Sequence, residues 1–184
     1  MSRLSPDEVI LGLLAAKGTS YGYELMEHFR CQLGQVWHLS SSQLYAILKR
    51  LENTDLICGR EVAGQAAPGR IEYWLTPQGE RVFESWLSLP TPSPSTRRIR
   101  TEFLSRLYVA RLLERPCAPL IQAQKRACQQ YYSQLLTMEA QSDAPMDGLA
   151  LQLRRAELGV ILVWLDGLAA QPMASLLSYS PLED

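Results

Sequence analysis

The chain has 184 residues, 47% of them hydrophobic and 20% charged, and a formal net charge of −1. That balance supports one sizeable folded domain or two small ones and excludes disorder and collagen-like repeats; the near-neutral charge withholds the overall basicity typical of a dedicated polyanion binder. Cys31, Cys58, Cys117 and Cys128 are scattered without a C-x-x-C pair, which offers neither a metal-ligand spacing nor a disulfide framework. With no export signal, the expected location is the reducing cytoplasm, with no membrane partner.

In chain order, Ser5-Pro6-Asp7-Glu8 reads as a capping box with Pro at the first helical position, opening a helix whose apolar stripe is Val9, Ile10, Leu13, Leu14 and Ala16. Lys17-Gly18 stops it. Thr19 or Ser20 is then expected to cap a second helix, with Leu25, Met26 and Phe29 inward, and residues 33–39 form a connector. The next stretch organises the rest. Ser40 followed by Gln43 is a capping box, and Leu44, Ile47, Leu48 and Leu51 fall at i, i+3, i+4 and i+7, a stripe that must be buried. Ser42, Tyr45 and Lys49 follow one another on the opposite side, flanked by Ser41, Gln43 and Ala46. Hydroxyls, an amide and a Lys are donors suited to phosphates and base edges, and small neighbours allow close approach to a groove.

After this helix, residues 60–63 and the β-rich run Arg70-Ile71-Glu72-Tyr73-Trp74-Leu75 flank a loop at 64–69, predicting a hairpin. Thr76-Pro77 then opens a helix with Val82, Phe83, Trp86 and Leu87 on its buried side. Three helices, a hairpin and a helix make a winged helix-turn-helix domain over residues 1–88, whose third helix would enter the major groove.

Three linked motifs are quoted as they stand: Ser20-Tyr21-Gly22-Tyr23-Glu24-Leu25; Leu44-Tyr45-Ala46-Ile47-Leu48-Lys49-Arg50-Leu51-Glu52; and Gly69-Arg70 with Tyr73, Leu75-Thr76 and Gly79. Together they resemble the N-terminal domain of PadR-like transcriptional regulators. The resemblance implies a dimeric DNA-binding regulator, often a repressor released by a small molecule. It makes Tyr23, Ser42, Tyr45 and Lys49 helix contacts to double-stranded DNA and Arg70 a wing contact. Two positions depart from the family pattern: Ala46 stands where many relatives carry Pro, and Ile71-Glu72 replaces basic residues after the wing Arg. Through Trp86, eight Lys and Arg face ten Asp and Glu, a difference of −2. Binding then depends on where charges lie, with Lys49, Arg60 and Arg70 as the local cluster, and two linked half-sites of a palindromic operator would strengthen a modest grip.

Residues 89–96, rich in Pro, Ser and Thr, read as a linker, followed by a mostly α second domain at 97–171 and a tail at 172–184. Within it, helices are expected from Arg97 to Arg115, from Leu120 to Met138 and from about Leu149 to Ala170. The last contains Leu158-Gly159-Val160-Ile161-Leu162-Val163-Trp164-Leu165, apolar on every face yet far too short to span a bilayer. A second copy of the chain is its expected cover, with Leu158, Ile161, Leu162 and Leu165 at a homodimer interface. The family resemblance adds a small aromatic effector, which Trp164 could stack on, though core packing is the preferred reading of that residue. Tyr131 and Tyr132 are aromatics of an amphipathic helix, and His28 and His38 lack ligand-spaced neighbours, so no metal and no cofactor is expected. No phosphate loop, nucleophile elbow or carboxylate pair is present, which leaves no catalytic residues to name. The leading function is a homodimeric DNA-binding repressor; the alternative is a winged-helix module that binds proteins and not DNA.

Overall fold

The computed structural model describes residues 4–62 and 70–170, so the 64–69 loop, Gly69 and the 172–184 tail lie outside the described residues. The chain divides into two compact units, one of Met1–Leu89 with Arg100–Arg115, the other of Pro90–Ile99 with Pro116–Asp184.

In the first unit, helix α1 (Asp7–Lys17) is buried continuously from Val9 to Leu14. Strand β1 (Thr19–Tyr21) and helix α2 (Gly22–Cys31) follow, then α3 (Ser41–Asn53), the hairpin β2 (Ile57–Val62) and β3 (Arg70–Leu75), and α4 (Pro77–Leu87). The antiparallel sheet has the order β1-β3-β2. Thr19 and Ser20 therefore belong to a strand, not to the expected helix cap. Ser20 instead points into the core, where its hydroxyl donates to Glu24 Oε2 at 2.7 Å, and the same carboxylate accepts from Tyr21 N at 2.8 Å at the entry to α2. The first helix also differs from expectation. Pro6 occupies the N-cap with no side-chain cap bond, and the Ser5 hydroxyl is directed to the Asp7 carboxylate.

Two features lock the hairpin to α4. Thr76 caps the helix by accepting from Gly79 N at 3.0 Å while its hydroxyl donates to Asp55 O at 2.6 Å. A Cβ on Gly79 would lie 1.9 Å from Leu56 O, so only glycine fits that crossing. On α4, Phe83 and Leu87 are buried and Trp86 is half-buried, whereas Val82, expected inside, is exposed.

The run beyond the Pro-rich segment is helical, as α5 (Thr96–Arg98), a π-helical turn (Ile99–Phe103) and α6 (Leu104–Leu112). Residues 100–115 were expected in the second domain, but they complete the core of the first. A Cβ on Gly12 of α1 would come within 2.6 Å of Val109, so these helices meet at small-residue distance. Around that contact Trp37 Nε1 donates to Ser105 Oγ at 2.8 Å, His28 Nδ1 lies 2.6 Å from Tyr108 Oη, and the buried Arg106 sits 5.6 Å from the Trp86 ring. Residues 33–39, read as a connector, are thus anchored through Trp37. The charge sum changes as well. Over residues 1–89 and 100–115, twelve Lys and Arg stand against twelve Asp and Glu, so the unit is neutral and not −2.

In the second unit, α7 (Ala118–Ala140) and α8 (Pro145–Ala170) pack as an antiparallel pair. Ile121, Cys128 and Leu135 face Leu151, Leu158 and Leu165, every seventh residue on each helix, in a seam of coiled-coil type. Ion pairs between Lys125 and Asp166 and between Arg155 and Glu139 (2.8 Å) flank it. The segment expected to be a linker is pinned to this unit: the buried Gln124 donates from Nε2 to Ser93 O at 2.9 Å, and the Thr96 hydroxyl to Glu157 Oε2 at 3.4 Å.

This pairing revises the expectation for the apolar run. Leu158 and Leu165 are covered by the chain's own α7, and Ile161 and Leu162 are half-buried. Met146, Leu149, Leu153, Val160 and Val163 remain outside, 57% to 73% exposed, and their spacing of 3, 4, 7 and 3 traces a second apolar line along α8. Among the described residues no helix is long and apolar enough to cross a membrane.

Candidate nucleic-acid interface

Helix α3 is built as its sequence specifies. Ser40 caps it by accepting from Gln43 N at 3.3 Å, and Gln43 Oε1 accepts from Ser40 N at 2.9 Å. Leu44, Ile47, Leu48 and Leu51 are buried, while Ser41, Ser42, Gln43, Tyr45, Ala46 and Lys49 are exposed. One buried stripe fixes the rotation of the helix, and the donor-rich side is thereby turned to solvent.

Not every polar group on that side is free. The Gln43 carboxamide oxygen is held by Ser40, whose hydroxyl also lies 3.1 Å from Ser42 Oγ. Gln43 therefore forms the capping box that its spacing from Ser40 specifies. Lys49 forms no ion pair among the described residues, whereas its neighbour Arg50 is tied to Asp7 at 2.5 Å.

The start of α2 is drawn onto the same surface. A Cβ on Gly22 would lie 2.7 Å from the Tyr45 ring, so the glycine makes room for that ring to lie against the first turn of α2. Tyr23, one residue on, is 53% exposed and stacks on Tyr21 with ring centroids 5.7 Å apart and planes 8° from parallel. Arg70, at the start of β3, sets its guanidinium 5.6 Å from the Tyr23 ring centroid, a cation–π contact that holds a long side chain in place. Tyr45, Tyr23 and Arg70 are thus contiguous, and α3 supplies Ser41, Ser42 and Lys49 beside them.

Arg60 differs from its expectation. Its Nη2 pairs with Glu72 Oε2 at 3.1 Å across the β2–β3 register, and its guanidinium lies 6.0 Å from the Trp74 ring. It is a compensated cation and not an open one. Tyr21 and Gly22 were not expected as parts of this surface; Glu72, expected to weaken the wing, lies by strand alternation and register on the face shared by Arg60 and Arg70.

In the second unit a cavity of about 410 Å³ lies between residues 90–94 and α7, lined by prolines together with Arg126, Gln130, Tyr131 and Gln134. Trp164, read first as core and otherwise as an effector contact, is 41% exposed on α8 and does not line this cavity.

A capped third helix with an outward donor face, an antiparallel wing beside it and a three-stranded sheet define a winged helix-turn-helix fold of the kind used to bind DNA. Residues 10–85 match the transcriptional regulator PadR-like family. The negative transcriptional regulator PadR of Bacillus subtilis (strain 168) is 34% identical over 106 residues, a match that spans 58% of this chain and 57% of that relative's own length. The crystal structure of Bacillus subtilis PadR in complex with operator DNA is 27% identical, covering 89% of this chain and 96% of that one with a TM-score of 0.46. That of the same protein in complex with p-coumaric acid is 25% identical, covering 90% and 93% with a TM-score of 0.41.

Proposed function

We propose that the chain is a homodimeric, cytoplasmic transcriptional repressor that reads a palindromic operator in double-stranded DNA. The observation that carries this reading is the single surface made by the α3 donors, Tyr45 lodged on Gly22, and Arg70 stacked on Tyr23. Lys49 and Arg70 take phosphates, which position the protein, while Ser41, Ser42 and Tyr45 face base edges. Arg60 joins them against the opposing charge of Glu72, to which its Nη2 is paired.

A neutral first unit binds a single half-site weakly, so the reading requires two linked copies. The exposed line of Met146, Leu149, Leu153, Val160 and Val163 supplies the apolar surface for that pairing, with Ile161 and Leu162 at its margin. Release by a small aromatic effector stacking on the partly exposed Trp164 completes the cycle.

Titration of a mobility shift on the chain's own upstream DNA tests the proposal. Wild type should give a discrete complex, and Lys49→Ala should weaken it on every sequence and flatten the log–log salt slope by about 0.9, one counterion per Lys49 that engages. A complex with an unchanged slope would take Lys49 off the phosphate backbone; no complex at low salt would favour a winged helix that binds protein partners.

A further inference from the structure

The outer face of the sheet carries a negative charge at the border of the site. Strand alternation puts Arg70, Glu72 and Trp74 on one face of β3, and the register sets Arg60 across from Glu72 on β2 and Tyr21 across from it on β1. Of the two paired groups, Glu72 is the sheltered one, its side chain 20% exposed against 70% for Arg60. Trp74 lies under the Arg60 guanidinium and Tyr23 under that of Arg70, so aromatic rings hold both cations against the same sheet face. A phosphate reaching Arg60 meets a guanidinium whose Nη2 is already paired to the Glu72 carboxylate. That carboxylate then stays within contact range of the phosphate it opposes.

We propose that Glu72 sets the strength and the salt dependence of DNA binding by holding Arg60 in an internal ion pair. This rests on the DNA-binding reading above and assigns a regulating charge to its wing. Pairs as exposed as this one are held weakly, so the pair is a counterweight that a well-matched operator overcomes and random DNA does not. Glu72 acts through Arg60, as a positioning residue that raises discrimination by penalising non-specific contacts.

Fluorescence anisotropy of the full chain with a labelled random-sequence duplex, across a range of salt, tests this with Glu72→Gln, Arg60→Gln and the double variant. Glu72→Gln keeps the shape and one hydrogen-bonding oxygen while removing the charge. It should tighten binding and steepen the log–log salt slope by about 0.9 for each wing that engages, so that the gain is about 3.5-fold larger at 50 mM than at 200 mM salt. Arg60→Gln should cost less affinity in the wild-type background than in the Glu72→Gln background, where it should abolish the gain. A Glu72→Gln slope equal to wild type overturns the proposal, as does an Arg60→Gln loss of equal size in both backgrounds. A thermal melt of each variant separates these effects from altered folding. Wild-type binding with no Glu72→Gln gain sinks this inference alone; absence of binding by wild type and by Glu72→Gln at low salt sinks the DNA-binding reading with it.

Discussion

Aspartate placed on each of the two apolar lines of α8 should give opposite outcomes. Val160 is 71% exposed and Leu165 is 0% exposed in the single chain. Full burial of such a side chain is worth about 1.5 to 3 kcal/mol, so covering the exposed seven-tenths of Val160 gives about 1 to 2 kcal/mol, and a two-fold interface counts it twice, about 2 to 4 kcal/mol. Val160→Asp should therefore raise the dimer dissociation constant by roughly 30-fold to several hundred-fold, and further if the carboxylate is desolvated. It should leave the helical circular dichroism of the monomer intact. Leu165→Asp instead forces an unpaired charge into the seam against α7 and should unfold the α7–α8 pair. Sedimentation velocity over a dilution series, paired with thermal melts, reads both. A Val160→Asp protein that stays dimeric with the wild-type dissociation constant would refute the assignment of the outer line. A folded Leu165→Asp protein that merely dissociates would show that the inner line faces a partner after all.

Gly22→Ala should lower DNA affinity with little loss of stability, because its Cβ would meet the Tyr45 ring at 2.7 Å and a ring that is half exposed can swing away; an anisotropy titration matching wild type would mean that the lodged position of Tyr45 is irrelevant to binding. His28 supplies a pH test. Burial first, then the nearby Lys17 charge, hold its pKa below the ordinary 6.5, so the unfolded chain takes up the proton first as the pH falls. The stability it contributes is present above about pH 6.5 and is lost as the pH drops from there toward the folded-state value. His28→Gln should flatten the fall in melting temperature below that point, and parallel wild-type and variant curves would remove His28 as its source.

The outward face of α3 was legible in the sequence because its information is local. A Ser–Gln capping box and four leucine-type residues on one stripe fix where α3 starts and how it is rotated, and the outward face of Ser41, Ser42, Tyr45 and Lys49 follows from the 3.6-residue period alone. Thr76, Pro77 and Gly79 announced α4 in the same way. Contacts between distant segments were a different matter. The pairing of Thr19–Tyr21 with β3 turns a predicted cap into a strand, and nothing within those residues differs enough from a cap to say so. Arg60 read as an open cation because its neutralising partner lies twelve residues away across a hairpin whose register only pairing decides.

The domain boundary shows the same limit on a larger scale. Helix α6 has an apolar periodicity that demands burial but does not name its neighbour; the small Gly12 opposite Val109, and Trp37 reaching Ser105, assign it to the first unit. A segment ending at residue 88 would leave α1 exposed along that contact. The all-apolar run of α8 likewise told that every face needed cover, and only the packing of α7 decided which half the chain covers itself. The sequence by itself determined the caps of α3 and α4 and the rotation of α3, since those depend on neighbours within a turn or two. The tertiary structure alone decided strand register, the partner of α6 and the state of each surface charge, since those are set by which distant surfaces come into contact.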